Sequence, residues 1–273
     1  MLSIALTLPL LAGASAPAPT LEPAALSPHE AVLAQVRAFR NDDVEALIRS
    51  LVTNEQFELM NAAWEEERKR TPDPTENSEF AAFVLQFSAE GAEASLWPDV
   101  EAALNEMRPQ VGMMTGMFSA MAQGAIEQES SLSPSDREQA MAVVSALQET
   151  VLQNDLTDPK LARKALGIVC KTVRSLEVED LDDVYELTFE EVLGRVGLAL
   201  RGAKDVLALY GFELNGWLSS FSAETMHTDG DYAVVRVSYS ILGLDESADV
   251  EMTRVSGRWF QKEQVDQAAL LGR

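Results

Sequence analysis

Cysteine and histidine are scarce in this chain, and their scarcity excludes several kinds of site. Cys170 is the only cysteine, so no disulfide can form within the chain. The two histidines, His29 and His227, are far apart in sequence and belong to no H-E-x-x-H pattern, which argues against zinc. The chain also lacks a G-x-S-x-G elbow and a glycine-rich phosphate loop. No cofactor is therefore predicted.

Basic residues are scarce as well. The chain has 21 Lys and Arg residues against 44 Asp and Glu residues, which gives a net charge of −23. A surface this negative repels phosphate backbones and anionic lipids, so nucleic acid and anionic membrane surfaces are not expected partners. The hydrophobic fraction of 47% is nevertheless large enough for a sizeable core.

The first residues carry most features of an export signal. Leu2 to Gly13 is an apolar run, and Ala14-Ser15-Ala16 has the small-x-small pattern that signal peptidases cleave. No Lys or Arg precedes the run, so a short uncleaved anchor or a misassigned start codon stays an alternative. We expect residues 1–16 to be a signal peptide and residues 17–26 a Pro- and Ala-rich tether. The mature protein is then periplasmic or secreted, without stable membrane insertion.

The C-terminal part has the clearest strand pattern. From Tyr232 to Ile241, apolar residues alternate with polar ones, which is the period of a half-buried strand. Asp229-Gly230-Asp231 and Ser256-Gly257 are predicted turns of the same region. We therefore predict an α+β fold that is predominantly α-helical, with a C-terminal antiparallel β-meander of three to four strands over residues 221–263.

The rest of the chain is predicted to be helical. The next helix after a loop at Thr71 to Asn77 is predicted to begin at Ser78, and Trp97-Pro98 is predicted to interrupt the helical pattern. Cys170 lies within a predicted helix, where a free cysteine usually behaves as a small buried hydrophobe. The helical region, residues 27–218, and the meander are expected to form a single domain over residues 27–273. Capping boxes predict helix starts at Ser27, Thr53, Ser133 and Thr188.

A second distinctive stretch lies between residues 110 and 126. Small residues recur there at every fourth position, and Met113, Met117 and Met121 form the neighbouring row. Small residues at this spacing allow another backbone to approach closely, and methionine fills irregular gaps in cores, so packing in the core is expected. A weaker alternative is a thioether site for Cu(I), because soft sulfur ligands select that ion. The small residues are Gly112, Gly116, Ala120 and Gly124.

Three polar side chains near the predicted sheet are candidates for ligand binding: His227, Tyr232 and Tyr239. Alternation along the strand places Tyr239 with Val235 and Val237, on the side that faces the helices. A hydroxyl at the edge of a core can bind a ligand or simply be satisfied within the core. His227 stands beside a predicted turn, so it either binds a ligand or is simply a surface residue. No catalytic residue is predicted.

The two ends of the predicted domain share a pattern with a known family. The opening carries Ala31-Val32 and Asn41-Asp42-Asp43, and the close carries Gly230-Asp231-Tyr232 and Gly257-Arg258-Trp259. These segments resemble the first helices and last strands of small exported NTF2-like domains of unknown function. The whole chain also resembles uncharacterised exported proteins of Gram-negative bacteria. The resemblance implies a curved antiparallel sheet on helices, forming a cone that sometimes encloses a small ligand. A long helical insert departs from the family. No catalytic residue is carried over, because the family's enzymes place their acid–base residues in segments that do not align with this chain.

These patterns favour an exported, non-enzymatic protein that binds a protein partner or a small apolar ligand. A binding module of this kind predicts an exposed apolar groove or patch. One alternative is an enzyme with an NTF2-like cone pocket, isomerase- or hydrolase-like. It predicts a deep cavity beside His227 and Tyr239 that contains buried carboxylates or a His–carboxylate pair. The second alternative is Cu(I) binding by the methionine row.

Overall fold

The computed structural model describes residues 26–130 and 133–265 of the chain. The predicted signal peptide and most of the predicted tether, residues 1–25, lie outside the described residues. Within the described residues, eleven α-helices and one 3-10 turn precede a four-stranded antiparallel sheet, so the predicted fold class is confirmed. The helices are α1 Pro28–Arg40, α2 Val44–Leu51, α3 Asn54–Glu67, α4 Pro74–Ser88, α5 Ala92–Met107, α6 Val111–Gln128, α7 Pro134–Gln153, α8 Pro159–Leu176, α9 Leu181–Glu186, α10 Phe189–Leu209 and α11 Leu214–Ser219. The strands are β1 Ser222–Asp229, β2 Tyr232–Ile241, β3 Leu244–Val255 and β4 Arg258–Gln261.

The sheet is a meander in which the strands lie side by side in the order β1-β2-β3-β4. Its first and last turns are the two that the sequence predicts. Ser256 and Gly257 both have positive φ, as a primed two-residue hairpin requires. The middle turn, Leu242-Gly243, was not predicted, and Leu242 adopts the left-handed conformation there at φ 53°. A bulky side chain rarely adopts this conformation, so Leu242 is not a residue from which a turn would be predicted.

The core beneath the sheet joins both ends of the chain. Ala233, Val235 and Val237 of β2 are buried, and they form one cluster with Ala31 and Val32 of α1. Alternation along β2 therefore directs the apolar side towards the first helix, as the sequence predicts. A hydrogen bond of 3.0 Å between His29 Nδ1 and Thr225 Oγ1 also joins α1 to β1.

Local capping explains where the helices begin, including one start that differs from expectation. All four predicted capping boxes are present, at Ser27, Thr53, Ser133 and Thr188. The predicted start at Ser78 is wrong, because Asp73 caps α4 and the helix begins at Pro74, four residues earlier. Its carboxylate accepts hydrogen bonds from the backbone N–H groups of Thr75 and Glu76.

The predicted interruption at Trp97-Pro98 is also wrong, since α5 runs through Pro98. The helix starts after Gly91, whose φ of 76° suits glycine. Trp97 is buried beside Leu96 and the α8 residues Leu166 and Cys170. Packing of this face therefore outweighs the backbone hydrogen bond that a proline cannot donate within a helix.

The hairpin of α6 and α7 is joined to the body at its base. Helices α6 and α7 pack mainly on each other, whereas α8 packs on α4, α5 and α10. At the base, Arg108 binds Thr157 twice, from Nε to the side-chain oxygen over 3.1 Å and from Nη2 to the carbonyl over 3.0 Å. Thr157 is buried. The hairpin is therefore anchored at its base, and the remaining length of α6 and α7 has little contact with the body of the protein.

Candidate functional site

The predicted ligand residues of the sheet do not converge on one place. His227 is exposed on β1, an edge strand, just after an irregularity between Thr225 and His227 in the pairing with β2. Tyr232 and Tyr239 lie seven positions apart on β2, and an odd separation directs two side chains to opposite faces of a strand. Along the strand the two tyrosines are also about 23 Å apart.

Each tyrosine has a local structural environment. Tyr239 stacks on Phe221 with the ring centroids 4.8 Å apart and the planes 9° from parallel, at the border of the core that β2 forms with α1. Partial loss of water contact raises the pKa of Tyr232, and the Glu251 side chain on β3 raises it further. A protonated phenol that donates to a neighbouring carboxylate is a common surface arrangement and needs no ligand.

Two surface depressions formed by residues 26–130 and 133–265 lie away from these three residues. The larger, of about 560 Å³, is lined by residues of α4, α8, α9 and the α8–α9 connection that include Arg174, Glu177 and Asp183. The smaller, of about 100 Å³, lies between α3 and the last turn, beside Arg258 and Phe260. Neither is lined by His227, Tyr232 or Tyr239.

The larger depression has an ion pair at its border. Arg174 binds Glu93 with both terminal nitrogens, over 2.7 and 2.9 Å, and its Nε donates to the Ser88 carbonyl. These hydrogen bonds to Arg174 lower the pKa of Glu93 to about 2. Each nitrogen of the guanidinium therefore makes a hydrogen bond within the protein, and Arg174 ties α8 to the α4–α5 junction.

Metal-binding and nucleophilic groups are also not assembled in the part of the chain that the structure describes. Over residues 26–130 and 133–265, no three His, Cys, Asp or Glu side chains are grouped as a metal site would require. Cys170 has 0% exposure, and this burial raises the pKa of its thiol. A thiol in this state is a packing group and not a nucleophile.

The methionine row is on the surface, so the expectation that it packs in the core is wrong. Met113 is 70% exposed, and Met117 and Met121 are also more than half exposed. A Cβ built on Gly112, Gly116 or Gly124 would meet nothing within 4 Å. Within the described residues, no other backbone approaches the glycines of the groove that the small residues form. Periodicity reveals that a face is apolar, but it does not reveal whether the chain itself covers that face.

Five neighbouring side chains of α6 make a continuous apolar surface, which we call the methionine face. With about 100° between successive residues, all five fall within less than half of the helix circumference. The small residues Gly116, Ala120 and Gly124 border the row of Met113, Met117 and Met121. The methionine face consists of Met113, Met114, Met117, Phe118 and Met121, all of which are exposed.

The side of α6 that faces α7 is small and polar. Ser119 is only 8% exposed, and its hydroxyl donates to Oε1 of Gln148 on α7 over 2.7 Å. Gln123 Nε2 in turn lies 3.4 Å from the Ser119 oxygen. A polar contact therefore fixes the rotation of α6 in the hairpin, and this rotation turns the apolar side chains away from α7.

Met114 and Phe118 are the members of the methionine face that sequence analysis missed. The signal was present in the sequence: residues 109–126 contain no Asp, Glu, Lys or Arg, in a chain with a net charge of −23.

In the described residues, no helix has the length and apolarity to cross a membrane. Among protein-family models, curated proteins and solved structures, comparison finds no match to this chain.

Proposed function

We propose that this protein is an exported, non-enzymatic binding protein that contacts a protein partner through the methionine face. The observation that supports it is the exposure of five large apolar side chains on one side of α6. Contiguous apolar surface of this kind on a monomer usually marks an interaction site. Methionine suits such a site because its flexible, polarisable side chain adapts to irregular surfaces.

The shape of the surface favours a macromolecule over a small ligand. Sites for small molecules are concave and enclose most of the ligand surface. The methionine face is the outer side of a helix, and neither of the two depressions includes any of its residues. A helix presented in this way can pack against another helix, with side-chain ridges of one entering grooves of the other. The partner is therefore a protein with an apolar helical surface.

The enzyme alternative has less support. It needs an enclosed cavity beside His227 and Tyr239 with paired titratable groups. His227 is exposed, Tyr239 stacks on Phe221, and the two depressions described above lie elsewhere. The methionine face itself has no titratable side chain, so its chemistry is limited to apolar contact.

Export is a separate part of the proposal and has its own test. The apolar run Leu2 to Gly13 and the Ala14-Ser15-Ala16 pattern support cleavage after Ala16. Mass spectrometry of the protein recovered from the periplasm or the culture medium should give a mature chain that begins at Pro17. Recovery of a cytoplasmic chain that retains residues 1–16 would contradict export.

Site-specific photo-crosslinking tests the contact surface. A benzophenone amino acid replaces Phe118 in one variant and Leu152 in a control variant, since Leu152 is also exposed, at 58%, but lies on α7. We expect irradiation of cells to produce a discrete covalent adduct with a polypeptide from position 118 and none from position 152. Equal yields from the two positions, or no adduct at 118, would rule out the methionine face as the contact surface.

A further inference from the structure

We infer that the partner on the methionine face is a second copy of this chain, with the two α6 helices packed antiparallel. Two α6–α7 hairpins would then form a four-helix bundle. This inference rests on the proposed function, because it names the occupant of the same surface. Three observations support a second copy: complementary shape, the distribution of charge and the available area.

The first observation is that α6 carries both halves of a complementary contact. The row Met113, Met117 and Met121 is a ridge, and the adjoining row Gly116, Ala120 and Gly124 is a groove with open space above its glycines. Ridges of one helix pack into grooves of the next. A two-fold axis brings the same patch of both copies together, so each ridge meets a groove in one symmetric contact. An unrelated partner would need to supply both features independently.

The second observation is the distribution of charge. Two copies with a net charge of −23 each repel one another, and the repulsion is smallest where a surface has no charge. Residues 109–126 form such a strip, about 27 Å long, between Arg108 and Glu127. In an antiparallel pair the two helix dipoles are opposed, which favours the antiparallel arrangement over the parallel one.

The third observation is the available area. If each large side chain presents about 200 Å² of surface, the exposed fractions of the methionine face amount to about 550 Å². Complete burial of these side chains in both copies would remove about 1,100 Å² from water, which is close to the roughly 1,000 Å² expected of a biological interface. Exposed Gly112, Gly116 and Ala120 lie beside the face and add to this area. The surface is therefore large enough for a reversible dimer.

Sedimentation equilibrium of the mature chain tests the inference. Between about 1 and 100 µM we expect a monomer–dimer equilibrium. Phe118→Glu should weaken dimerisation about a hundredfold, because it would bury a carboxylate among apolar side chains. The control Leu152→Glu adds the same charge to an exposed site outside the methionine face and should leave the equilibrium unchanged. Circular dichroism melting establishes that each variant is folded.

Single cysteines in a Cys170→Ala background test the orientation. Met117 lies near the middle of the charge-free strip, so Met117→Cys should form a disulfide between copies in an antiparallel pair. Met113→Cys should not, since the two-fold axis places it opposite the far end of the partner helix. Efficient disulfide formation at both positions would indicate a parallel pair and overturn the antiparallel arrangement.

The remaining outcomes separate this inference from the proposed function. The chain could stay monomeric at about 100 µM and still form an adduct with a different polypeptide at position 118. The partner is then not a second copy of this chain, but the proposed function as a binding protein still holds. A monomer that forms no adduct at position 118 overturns both. A dimer that survives Phe118→Glu and is lost in Leu152→Glu places the interface elsewhere, which also overturns the inference.

Discussion

Lys204 Nζ lies 2.9 Å from Asp42 Oδ1, and the Lys204 side chain is only 4% exposed. The ammonium also donates to the Phe39 carbonyl at the end of α1 and lies 4.3 Å from the centre of the Phe39 ring. Arg201, one turn earlier on α10, binds the other oxygen of Asp42 over 3.1 Å. A buried charge is tolerated when it is paired and hydrogen-bonded. Helix α10 is thereby fixed to the turn between α1 and α2.

Replacement of Lys204 by methionine should destabilise the protein by about 3 kcal/mol. The substitution keeps the length of the side chain but leaves a buried carboxylate with one cation instead of two. Urea unfolding at neutral pH measures the loss. The control is Arg201→Met, which removes a pair whose arginine is 59% exposed and should cost less than about 1 kcal/mol. Similar losses in both variants would contradict the buried pair as the main anchor.

Two glycines of α10 should respond to alanine with opposite signs. A Cβ on Gly197 would lie 2.4 Å from the Asp42 carbonyl oxygen, so the helix and the α1–α2 turn must separate. A Cβ on Gly194 meets nothing within 4 Å, so Gly194→Ala gains about 1 kcal/mol of helix propensity. We expect the denaturation midpoint to fall for Gly197→Ala and to rise for Gly194→Ala. A higher denaturation midpoint for both variants would show that the α1–α2 turn moves away from α10 at little energetic cost.

The Glu93–Arg174 pair should make a pH-dependent contribution to stability. The folded pKa of Glu93 is lowered to about 2 by its hydrogen bonds to Arg174, below the unfolded value near 4.5. The carboxylate therefore stabilises the fold above the unfolded pKa, and this contribution disappears as the pH falls from about 4.5 through about 2. Glu93→Gln should unfold earlier than the natural chain at pH 7, and the difference should shrink towards pH 2. A difference that is independent of pH would indicate a steric effect. Glu90→Gln, an exposed neighbour, is the control.

Helices α6 and α7 of the hairpin should exchange their amide hydrogens faster than the body of the protein. Helices α6 and α7 pack mainly on each other, whereas α8 and α10 pack on several elements. Local opening is easiest where few buried contacts oppose it. Hydrogen-exchange mass spectrometry of a dilute sample should show deuterium uptake first in α6 and α7. Uptake in α8 as early as in α6 would contradict a separate, weakly held hairpin.

The methionine row should not behave as a copper site. Met113 and Met121 are about 12 Å apart along the helix axis, and all three side chains are open to water. We therefore expect Cu(I), added under reducing conditions, to leave the melting temperature unchanged, since only a ligand of the folded state raises it. A rise that Met117→Leu abolishes would restore the thioether site, because leucine keeps the apolar surface and removes the sulfur.

The sequence predicted those parts of the fold that depend on local chemistry. Short-range interactions produce the alternation in β2, the turn at Ser256-Gly257 and the four capping boxes. The sequence therefore predicts this strand, this turn and these four helix starts. The prediction at Trp97-Pro98 failed where tertiary packing outweighed a local rule, whereas the predicted start at Ser78 failed because the local cap at Asp73 was missed. Pro98 remains inside α5 because Trp97 packs against α8.

The features that matter most for function were harder to predict. Lys204 looks like any surface lysine in sequence, and its burial depends on the long-range approach of α10 to Asp42. The rotation of α6 is fixed by the hydrogen bond between Ser119 and Gln148, which sequence spacing does not reveal. The absence of charge over residues 109–126 was visible from the start, but only the structure shows that this strip faces water.

Exposure gives the methionine face a chemical vulnerability. Its four thioethers lie in water on one side of one helix, whereas the Cys170 thiol is fully buried. Oxidants convert such methionines to sulfoxides, which are polar and which reductases can restore. Several new dipoles would then appear on one strip while the cores of the body stay intact. Oxidation would thus make the methionine face polar and would weaken its contacts reversibly, without unfolding the protein.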